Sequence, residues 1–399
     1  MSRWFKRKNR TAFSSITVVF LIFLGALLVH GPAGCQDRAG GRGEIKIGLI
    51  LPLSGDLAES GRSALQGAEL LAQSINRAGG LDLNGNRFNL VLVVEDGKAE
   101  PQASVAAAQK LINQKGVVAL IGPLASAVTV PVSRIAERAG IPMISPTSTD
   151  PEITTGKSYV FRIAFTDSFQ GLALARFCRL ELQAAEAAVL FDAAGLYNQS
   201  MARFFRQAFE EAGGRITAYE FYTTGETDFS PQMGRIFLAD PDVLFLPNYR
   251  ADLLAQTSLA RELGLRVILV GPDSWETLLD QDRPAMEGSF FSTLWAPDPD
   301  DPRGEKFVES FRKVHGRRPG VQAALTYDSL GLLIQAMKNR GKADPKSIKA
   351  GLAETENYPG LGGSISFGEG GDPVRSVVVL KISDGKTSFH MKVEPDREE

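Results

Sequence analysis

Short apolar runs alternate with amphipathic helical segments along most of this 399-residue chain. The runs at residues 45–51, 88–94 and 117–121 are almost continuously apolar, which is typical of strands covered on both faces. Between the first two, apolar residues recur every three or four positions over residues 64–75, the pattern of a helix that packs on a sheet. This alternation predicts an α/β fold with a doubly wound parallel sheet.

A second series of the same kind follows, with predicted strands at residues 187–191, 243–246 and 267–270. The chain exceeds the roughly 100–200 residues of one typical domain, so two doubly wound parallel-sheet lobes are expected. The tail differs, because β runs at residues 374–382 and 389–393 follow predicted helices and are joined by an Asp-Gly turn. Such a tail is expected if the chain crosses between the lobes more than once.

The charge pattern argues against nucleic acid as a partner. The formal net charge is −2, and the first 34 residues carry five basic residues and no acidic one. The rest of the chain is therefore more acidic than the total suggests, and it has no basic run to meet a phosphate backbone. No nucleic-acid partner is expected.

The N-terminal segment has the order of an export signal. Its basic residues precede an apolar run at residues 12–29, and the small residues Ala33 and Gly34 stand directly before Cys35. This order resembles a bacterial lipobox, in which the cysteine is acylated and becomes the mature N terminus. Pro32 departs from that pattern, because a lipobox usually has an aliphatic residue there. The resemblance implies a lipoprotein held at a membrane by an N-terminal lipid anchor.

We therefore expect a signal peptide at residues 1–34, lipidation at Cys35 and a lipid-anchored tether at residues 35–43. The alternative is an uncleaved anchor, because about 18 apolar residues approach the length of a membrane-spanning helix. Either way, the chain from residue 45 onward is expected outside the cytoplasm, in the periplasm or at the cell surface.

Hydroxyl side chains follow two of the predicted strands. Ser126 comes after the apolar run at residues 117–121, and Thr147 and Thr149 come after the next run. In open α/β sheets, ligands bind beyond the carboxyl ends of the strands. Ser126 also stands at the start of a predicted helix at residues 127–139, whose free amides and positive dipole end favour an anion. These residues are therefore candidates to bind a small molecule such as a carboxylate.

The sequence offers no catalytic or cofactor motif. Residues 156–158 and 385–387 look like the ends of P-loops, but Pro151 and Leu380 occupy the place of the required upstream glycine. The histidines are too scattered for a metal cluster or a nucleophile's base; they are His30, His315 and His390. We expect a binding protein without a cofactor or a metal, rather than an enzyme.

Several segments, in their order and spacing, resemble the leucine/isoleucine/valine-binding proteins of ABC transporters, the type I solute-binding fold. These segments are residues 48–55, 67–70, 75–80, 122–154, 327–328 and 384–386. The similarity covers nearly all of residues 45–394. It implies two lobes joined by three hinge crossings. Residues 44–166 and 297–362 would form lobe 1, and residues 167–296 and 363–395 would form lobe 2.

The resemblance also implies how an amino acid would be held. The hydroxyl donor to the ligand carboxylate falls on Ser126, with backbone and hydroxyl contacts on Thr147 and Thr149, and the ammonium partner falls on Asp273. A zwitterion that enters a closed cleft loses water around both charges, which costs several kcal/mol per unpaired ion. Each end of the ligand therefore needs a fixed counterpart.

Other pocket residues match the resemblance only in part. Pocket-lining tyrosines fall on Tyr197 and Tyr249, and Trp275 is a further candidate for the wall, where the branched-chain binders have small residues. Ser60 stands where those proteins carry an aromatic residue, and Asp273 is one methylene shorter than their glutamate. These departures leave the side-chain pocket open, and a different ligand or a shifted ammonium group fits them.

The expected function is that of an extracytoplasmic solute-binding receptor of an ABC transporter. It would bind an amino acid or a related small amide or carboxylate between the lobes and present it to a membrane permease. The alternative is a ligand sensor of the same fold, coupled to a signalling partner rather than to import. The sequence does not separate the two.

Overall fold

A computed structural model describes residues 42–278, 280–297 and 301–395. The predicted signal peptide at residues 1–34, the predicted lipidation site Cys35 and most of the tether lie outside these residues. Within the described ranges, no helix combines the length and the apolar character needed to cross a membrane.

The described residues alternate strands and helices as the sequence predicts. The strands are β1 (Gly43–Leu51), β2 (Leu81–Leu83), β3 (Asn86–Asp96), β4 (Ala119–Ile121), β5 (Met143–Ser145), β6 (Val160–Arg162), β7 (Glu186–Asp192), β8 (Arg215–Tyr222), β9 (Val243–Phe245), β10 (Ile268–Gly271), β11 (Phe290–Thr293), β12 (Tyr358–Gly360), β13 (Gly363–Phe367), β14 (Pro373–Val374), β15 (Val377–Ser383) and β16 (Lys386–Val393). The helices are α1 (Ala58–Arg77), α2 (Pro101–Lys110), α3 (Ser126–Ala139), α4 (Asp167–Arg176), α5 (Leu196–Glu211), α6 (Ser230–Ala239), α7 (Arg250–Glu262), α8 (Pro302–His315), α9 (Val321–Arg340) and α10 (Pro345–Ala353).

Two large sheets carry the fold. The first has the order β2-β3-β1-β4-β5-β6, and the second has the order β16-β15-β11-β10-β9-β7-β8. The central pairs of both sheets are parallel, as predicted. Antiparallel pairs occur at the edges, where β2 joins β3 and where β15 and β16 extend the second sheet. A small antiparallel sheet contains β12, β13 and β14.

Both faces of each large sheet are buried, which explains the continuous apolar runs. In β1, Ile47 and Leu49 pack in one hydrophobic cluster, whereas Ile50 packs in the cluster on the opposite face. In β9, Leu244 and Phe245 are divided between two clusters in the same way. Successive side chains of a strand point to opposite faces, so a strand buried on both sides needs apolar residues at every position.

The chain passes between the two sheets three times. It leaves the first sheet after β6, and it returns after β11, because residues of α8, α9 and α10 pack in the core of the first sheet. Ile365 and Phe367 of β13 still pack there, and β15 then joins the second sheet. The lobe limits inferred from the sequence stay predictions.

One central strand was not indicated by the sequence. β11 lies between β10 and β15 in the second sheet. It has only four residues, and its two phenylalanines are followed by Ser292 and Thr293, so no long apolar run marks it. All four of its residues are nevertheless buried, because neighbouring strands cover both edges.

Candidate functional site

A cavity of about 130 Å³ lies where the strands of both large sheets end. From the first sheet it is lined by residues that follow β1, β4 and β5, and from the second sheet by residues that follow β7, β9, β10 and β11. Carboxyl ends of parallel strands are the usual place for ligands in open α/β sheets. The cavity therefore has the position expected of a small-molecule site.

Six of the seven ligand-contact candidates line this cavity: Ser126, Thr147, Thr149, Tyr197, Tyr249 and Asp273. A larger cavity of about 740 Å³ is lined mainly by α1, α8 and α9 and contains none of these residues. We take the smaller cavity as the candidate site because it stands at the strand ends and gathers polar groups from both sheets.

Ser126 is held at the N terminus of α3 with its hydroxyl group ready to donate. The Ser126 Oγ atom accepts hydrogen bonds from the backbone amides of Thr149 and Asp150, both at 3.3 Å. A hydroxyl oxygen has two acceptor lone pairs and one proton, so these two bonds leave the proton for another acceptor. The first turn of α3 adds the positive end of a helix dipole, which favours an anion at this position.

Gly122 brings the Ser126 loop close to the end of β1. Its φ angle is 92°, and a Cβ atom added there would lie 2.3 Å from the carbonyl oxygen of Ile50. Glycine is therefore required by both the backbone conformation and the close approach. The sequence places it directly after β4, where the chain turns toward Ser126.

The two threonines after β5 have different surroundings. Thr147 Oγ1 donates to the carbonyl oxygen of Leu124 at 2.7 Å, which leaves its lone pairs to accept from a ligand. Thr149 is buried, and its carbonyl oxygen accepts from the Asp167 amide at 2.8 Å. This segment is thus fixed between α3 and the start of α4.

Asp273 is the acidic ligand-contact candidate, and it faces the cavity from the second sheet. Its Oδ1 atom accepts from the Tyr197 hydroxyl at 2.6 Å and from Gln170 Nε2 at 2.9 Å. Burial raises the pKa of Asp273, and these two hydrogen bonds oppose that rise. Burial and the Asp273 carboxylate also raise the pKa of Tyr197 well above its usual value, so its phenol stays protonated and donates.

Tyr249 completes the aromatic side of the cavity. Its ring centroid lies 5.9 Å from that of Tyr197, and the residue is 51% exposed. The two rings lie at an angle of 32° to each other, with the less exposed Tyr197 further inside.

Trp275 does not line this cavity. Its side chain is fully buried, and its indole Nε1 donates to the carbonyl oxygen of Leu246 at 2.8 Å. A Cβ atom on Gly271 would lie 1.9 Å from the indole ring, so the glycine leaves the space that the ring fills. The tryptophan packs beneath the turn that carries Asp273.

Sequence reasoning missed Glu276, which also lines the cavity. It stands three residues after Asp273 in the short 3₁₀ turn Asp273–Thr277, and residues three apart in such a turn project from the same side. The Thr293 hydroxyl donates to Glu276 Oε1. Burial, followed by the nearby Asp273 carboxylate, raises the pKa of Glu276 to about 8. The spacing of the two acids was the available signal.

Sequence reasoning also missed the buried Asp167, the first residue of α4, which does not line the cavity but interacts electrostatically with Asp273. Its side chain is fully buried, and neither carboxyl oxygen has a well-aligned hydrogen-bond partner among the described residues. Burial raises the pKa of Asp167 to about 8, and the negative charge of Asp273 adds to this, whereas the nearby Thr149 hydroxyl opposes it. Nothing in the sequence indicated burial, because an acid in the first turn of a helix is usually solvated.

The cavity thus offers a hydroxyl donor at a helix N terminus on one side and carboxyl groups on the other. Such an arrangement is suited to hold a small molecule by both ends. Two parallel-stranded sheets whose strand ends meet at one cavity of this kind are the architecture expected of a solute-binding protein.

Comparison with known proteins identifies the family. The model of the periplasmic binding protein family matches residues 44–387, and the chain belongs to this family. Its members are solute-binding proteins and not enzymes, which confirms that prediction.

Individual relatives confirm the resemblance to the leucine/isoleucine/valine-binding proteins. The leucine-, isoleucine-, valine-, threonine- and alanine-binding protein of Pseudomonas aeruginosa is 28% identical over 82% of this chain and 87% of its own length. The leucine-binding protein LivK of Thermotoga maritima is 30% identical with a TM-score of 0.78, over 88% of this chain and 99% of that one. LivJ of Streptococcus pneumoniae, solved with isoleucine, is 28% identical with a TM-score of 0.79, over 88% and 100%. These structures confirm the type I fold.

Proposed function

We propose that this protein is an extracytoplasmic solute-binding receptor of an ABC transporter. It holds an amino acid, or a related small amide or carboxylate, in the 130 Å³ cavity and presents it to a membrane permease. One observation carries the proposal: Ser126 and Asp273 line the same cavity, although they follow strands of different sheets.

The two ends of an amino acid match these two groups. The ligand carboxylate accepts from the Ser126 hydroxyl and lies at the N terminus of α3. The ammonium group donates to the Asp273 carboxylate and to the free lone pairs of Thr147. Both charges then keep a counterpart when water leaves, which offsets the desolvation cost.

Closure of the two lobes follows from this pose. A ligand that contacts groups of both lobes stabilises the closed arrangement by the contacts that it makes only there. The lobes are residues 44–166 with 297–362, and residues 167–296 with 363–395, and the permease recognises their closed form. The names of the relatives, which include amino-acid binding proteins, support an amino acid as the solute.

Ligand-induced stabilisation of the full chain tests the proposal. Amino acids and small amides are screened by thermal unfolding, and each hit is titrated by calorimetry. A ligand at a hundred times its dissociation constant stabilises the folded state by about 2.7 kcal/mol. The substitution Asp273→Asn should weaken a zwitterionic hit by at least about tenfold, because it removes the charge that faces the ammonium group. No stabilisation by any amino acid, or an unchanged affinity in Asp273→Asn, would contradict the proposal.

Import is tested in cells rather than on the purified chain. Deletion of the gene should abolish uptake of the labelled ligand, and complementation should restore it. Normal uptake with loss of a ligand-dependent transcriptional response would instead favour the sensor.

We also propose that Cys35 carries a lipid anchor and that residues 1–34 are removed. The observation behind this is the small-residue pair directly before the cysteine. The protein should then fractionate with membranes, and the substitution Cys35→Ser should leave it unprocessed. A mature N terminus at any other residue would contradict the proposal.

A further inference from the structure

The turn Asp273–Thr277 presents two carboxyl groups to one small cavity. Asp273 and Glu276 both line it, and their spacing in a 3₁₀ turn puts them on the same side. The α-ammonium group of an amino acid needs only one of these carboxylates. The second one therefore requires its own explanation.

Glu276 has no cationic partner in the part of the chain that the structure describes. The ion pairs among those residues include neither Glu276 nor Asp273. No lysine, arginine or histidine occurs among the described residues that line the cavity. The Thr293 hydroxyl donates to Glu276 and positions its carboxyl group, but it brings no positive charge. Burial favours the neutral form of Glu276 in the unliganded protein, and a cation bound beside it would favour the carboxylate.

Both polar and apolar residues line the cavity with Glu276. Ser60, Thr277 and Gln322 are polar, whereas Leu57 and Leu294 are apolar. The Thr277 hydroxyl already donates to the Ser274 carbonyl oxygen at 2.8 Å. An aliphatic side chain placed against Glu276 would leave the remaining lone pairs of its carboxyl group without a donor, which is costly. A side chain that ends in a nitrogen donor would fill them instead.

The length of that side chain is limited. Glu276 and Gln322 also line an adjoining cavity of about 410 Å³, in which Arg283 and Arg318 are found. The cavity of about 130 Å³ is smaller than the roughly 300–1,000 Å³ of pockets for larger ligands. This small volume favours a short side chain.

We propose that the ligand is a short diamino acid whose side-chain ammonium group binds Glu276, while its α-ammonium group binds Asp273. The inference rests on the proposed function, because it assigns the ligand class of the same cavity. Glu276 is then the specificity-determining residue, and the resulting ligand carries a net positive charge into a cavity lined by two acids.

Matched pairs of ligands test this by calorimetry with the full chain. L-ornithine is compared with L-norvaline, and L-2,4-diaminobutyrate with L-2-aminobutyrate, so that each pair differs only in the terminal amine. We expect the diamino acid of at least one pair to bind about tenfold or more tightly than its neutral partner, because a site built for a donor rejects the analogue that lacks it.

Two substitutions identify the responsible group. Glu276→Gln should reduce this preference to near unity while the neutral partner binds as before or more tightly. The control, Glu262→Gln, removes an exposed acid at the end of α7 and should leave the preference unchanged. Thermal unfolding of both variants shows whether they are folded.

The outcomes separate this inference from the proposed function. Tight binding of norvaline or leucine with no gain from a terminal amine would overturn the diamino-acid assignment and leave the amino-acid receptor intact. A preference that survives in folded Glu276→Gln would overturn the role of Glu276. Failure of every amino acid to bind would overturn both.

Discussion

At the scale of single residues, the site depends on polar groups whose hydrogen-bonding capacity is only partly used within the protein. Ser126 accepts two backbone amides and keeps its proton, and Thr147 donates its proton and keeps its lone pairs. Glu276 also lines the cavity and is held in surroundings that favour its neutral form. Folding has already removed part of the water around these cavity groups, so a ligand gains from each bond that it adds.

Replacing Ser126 should separate its ligand contact from its structural one. Ser126→Ala removes the hydroxyl donor and leaves two backbone amides without their acceptor. We expect ligand affinity to fall by at least about tenfold and the free energy of unfolding to fall by about 1–3 kcal/mol. Calorimetry and denaturant unfolding measure the two effects.

Ser133 supplies the control for this experiment. It is buried in the same helix, and its hydroxyl donates to the Val130 carbonyl oxygen at 2.8 Å, but it does not line the cavity. Ser133→Ala should therefore keep the ligand affinity of the wild type. An equal loss of affinity in both variants would rule out a specific role for Ser126.

Asp167 should make the unliganded protein less stable as the pH rises. Burial raises its pKa from 3.8 to about 8, so between these values the native state binds a proton that the unfolded chain has released. The free energy of unfolding then decreases with rising pH across this window. Asp167→Asn removes the titration, and relative to the wild type it should gain up to about 4 kcal/mol of stability between about pH 5 and about pH 8.

Denaturant unfolding of both proteins at several pH values checks this. Other buried acids, such as Glu276 and Asp328, titrate in both proteins, so the difference between the two curves reports Asp167 alone. A constant difference across the pH range would show that Asp167 is ionised or solvated in the native protein.

At the scale of elements, the loop between β4 and α3 determines where Ser126 and the proposed anion-binding end of the site lie. Gly122→Ala would force a Cβ atom to 2.3 Å from the Ile50 carbonyl oxygen in addition to straining a φ angle of 92°. Gly140, just after α3, has a φ angle of 64° with its nearest neighbour at 3.8 Å, so Gly140→Ala has strain without a clash.

We expect Gly140→Ala to cost about 1 kcal/mol of stability and to leave ligand binding unchanged. Gly122→Ala should cost more than this, and it should also weaken ligand binding because Ser126 moves with the loop. Equal costs, or normal binding by Gly122→Ala, would contradict the proposed role of this loop.

The elements also show where a sequence is informative. Asp384-Gly385 marks the hairpin between β15 and β16, and both residues adopt positive φ angles, as a two-residue turn requires. Asn84-Gly85 forms the same kind of two-residue turn between β2 and β3, again with positive φ angles. This dipeptide predicts a hairpin from the sequence alone. The long strands were predictable because burial on both faces requires apolar residues throughout.

The site was less predictable than the strands. Hydroxyl groups at strand ends are visible in the sequence, and so is the spacing of Asp273 and Glu276. The burial of Asp167 depends on how α4 meets the segment after β5, which only the tertiary structure reveals. Trp275 was expected to line the cavity because it stands two residues after Asp273. In the structure its ring packs on Gly271 instead of facing the cavity.

At the scale of the whole molecule, the three passages of the chain between the sheets place strand ends of both around one cavity. The groups that we propose to bind opposite ends of a solute therefore come from different sheets. Under this proposal, the free energy of ligand binding is coupled to the approach of the two proposed lobes, which a permease would detect.

A crystal structure of the protein with a bound amino acid, chosen as the tightest ligand in calorimetry, tests this most directly. We expect the ligand carboxylate within hydrogen-bonding distance of Ser126 Oγ and the α-ammonium group within that distance of an Asp273 carboxylate oxygen, with the lobes closed around them. A ligand that lies outside the cavity between the two sheets, or that contacts residues of one sheet alone, would contradict the proposed mode of binding.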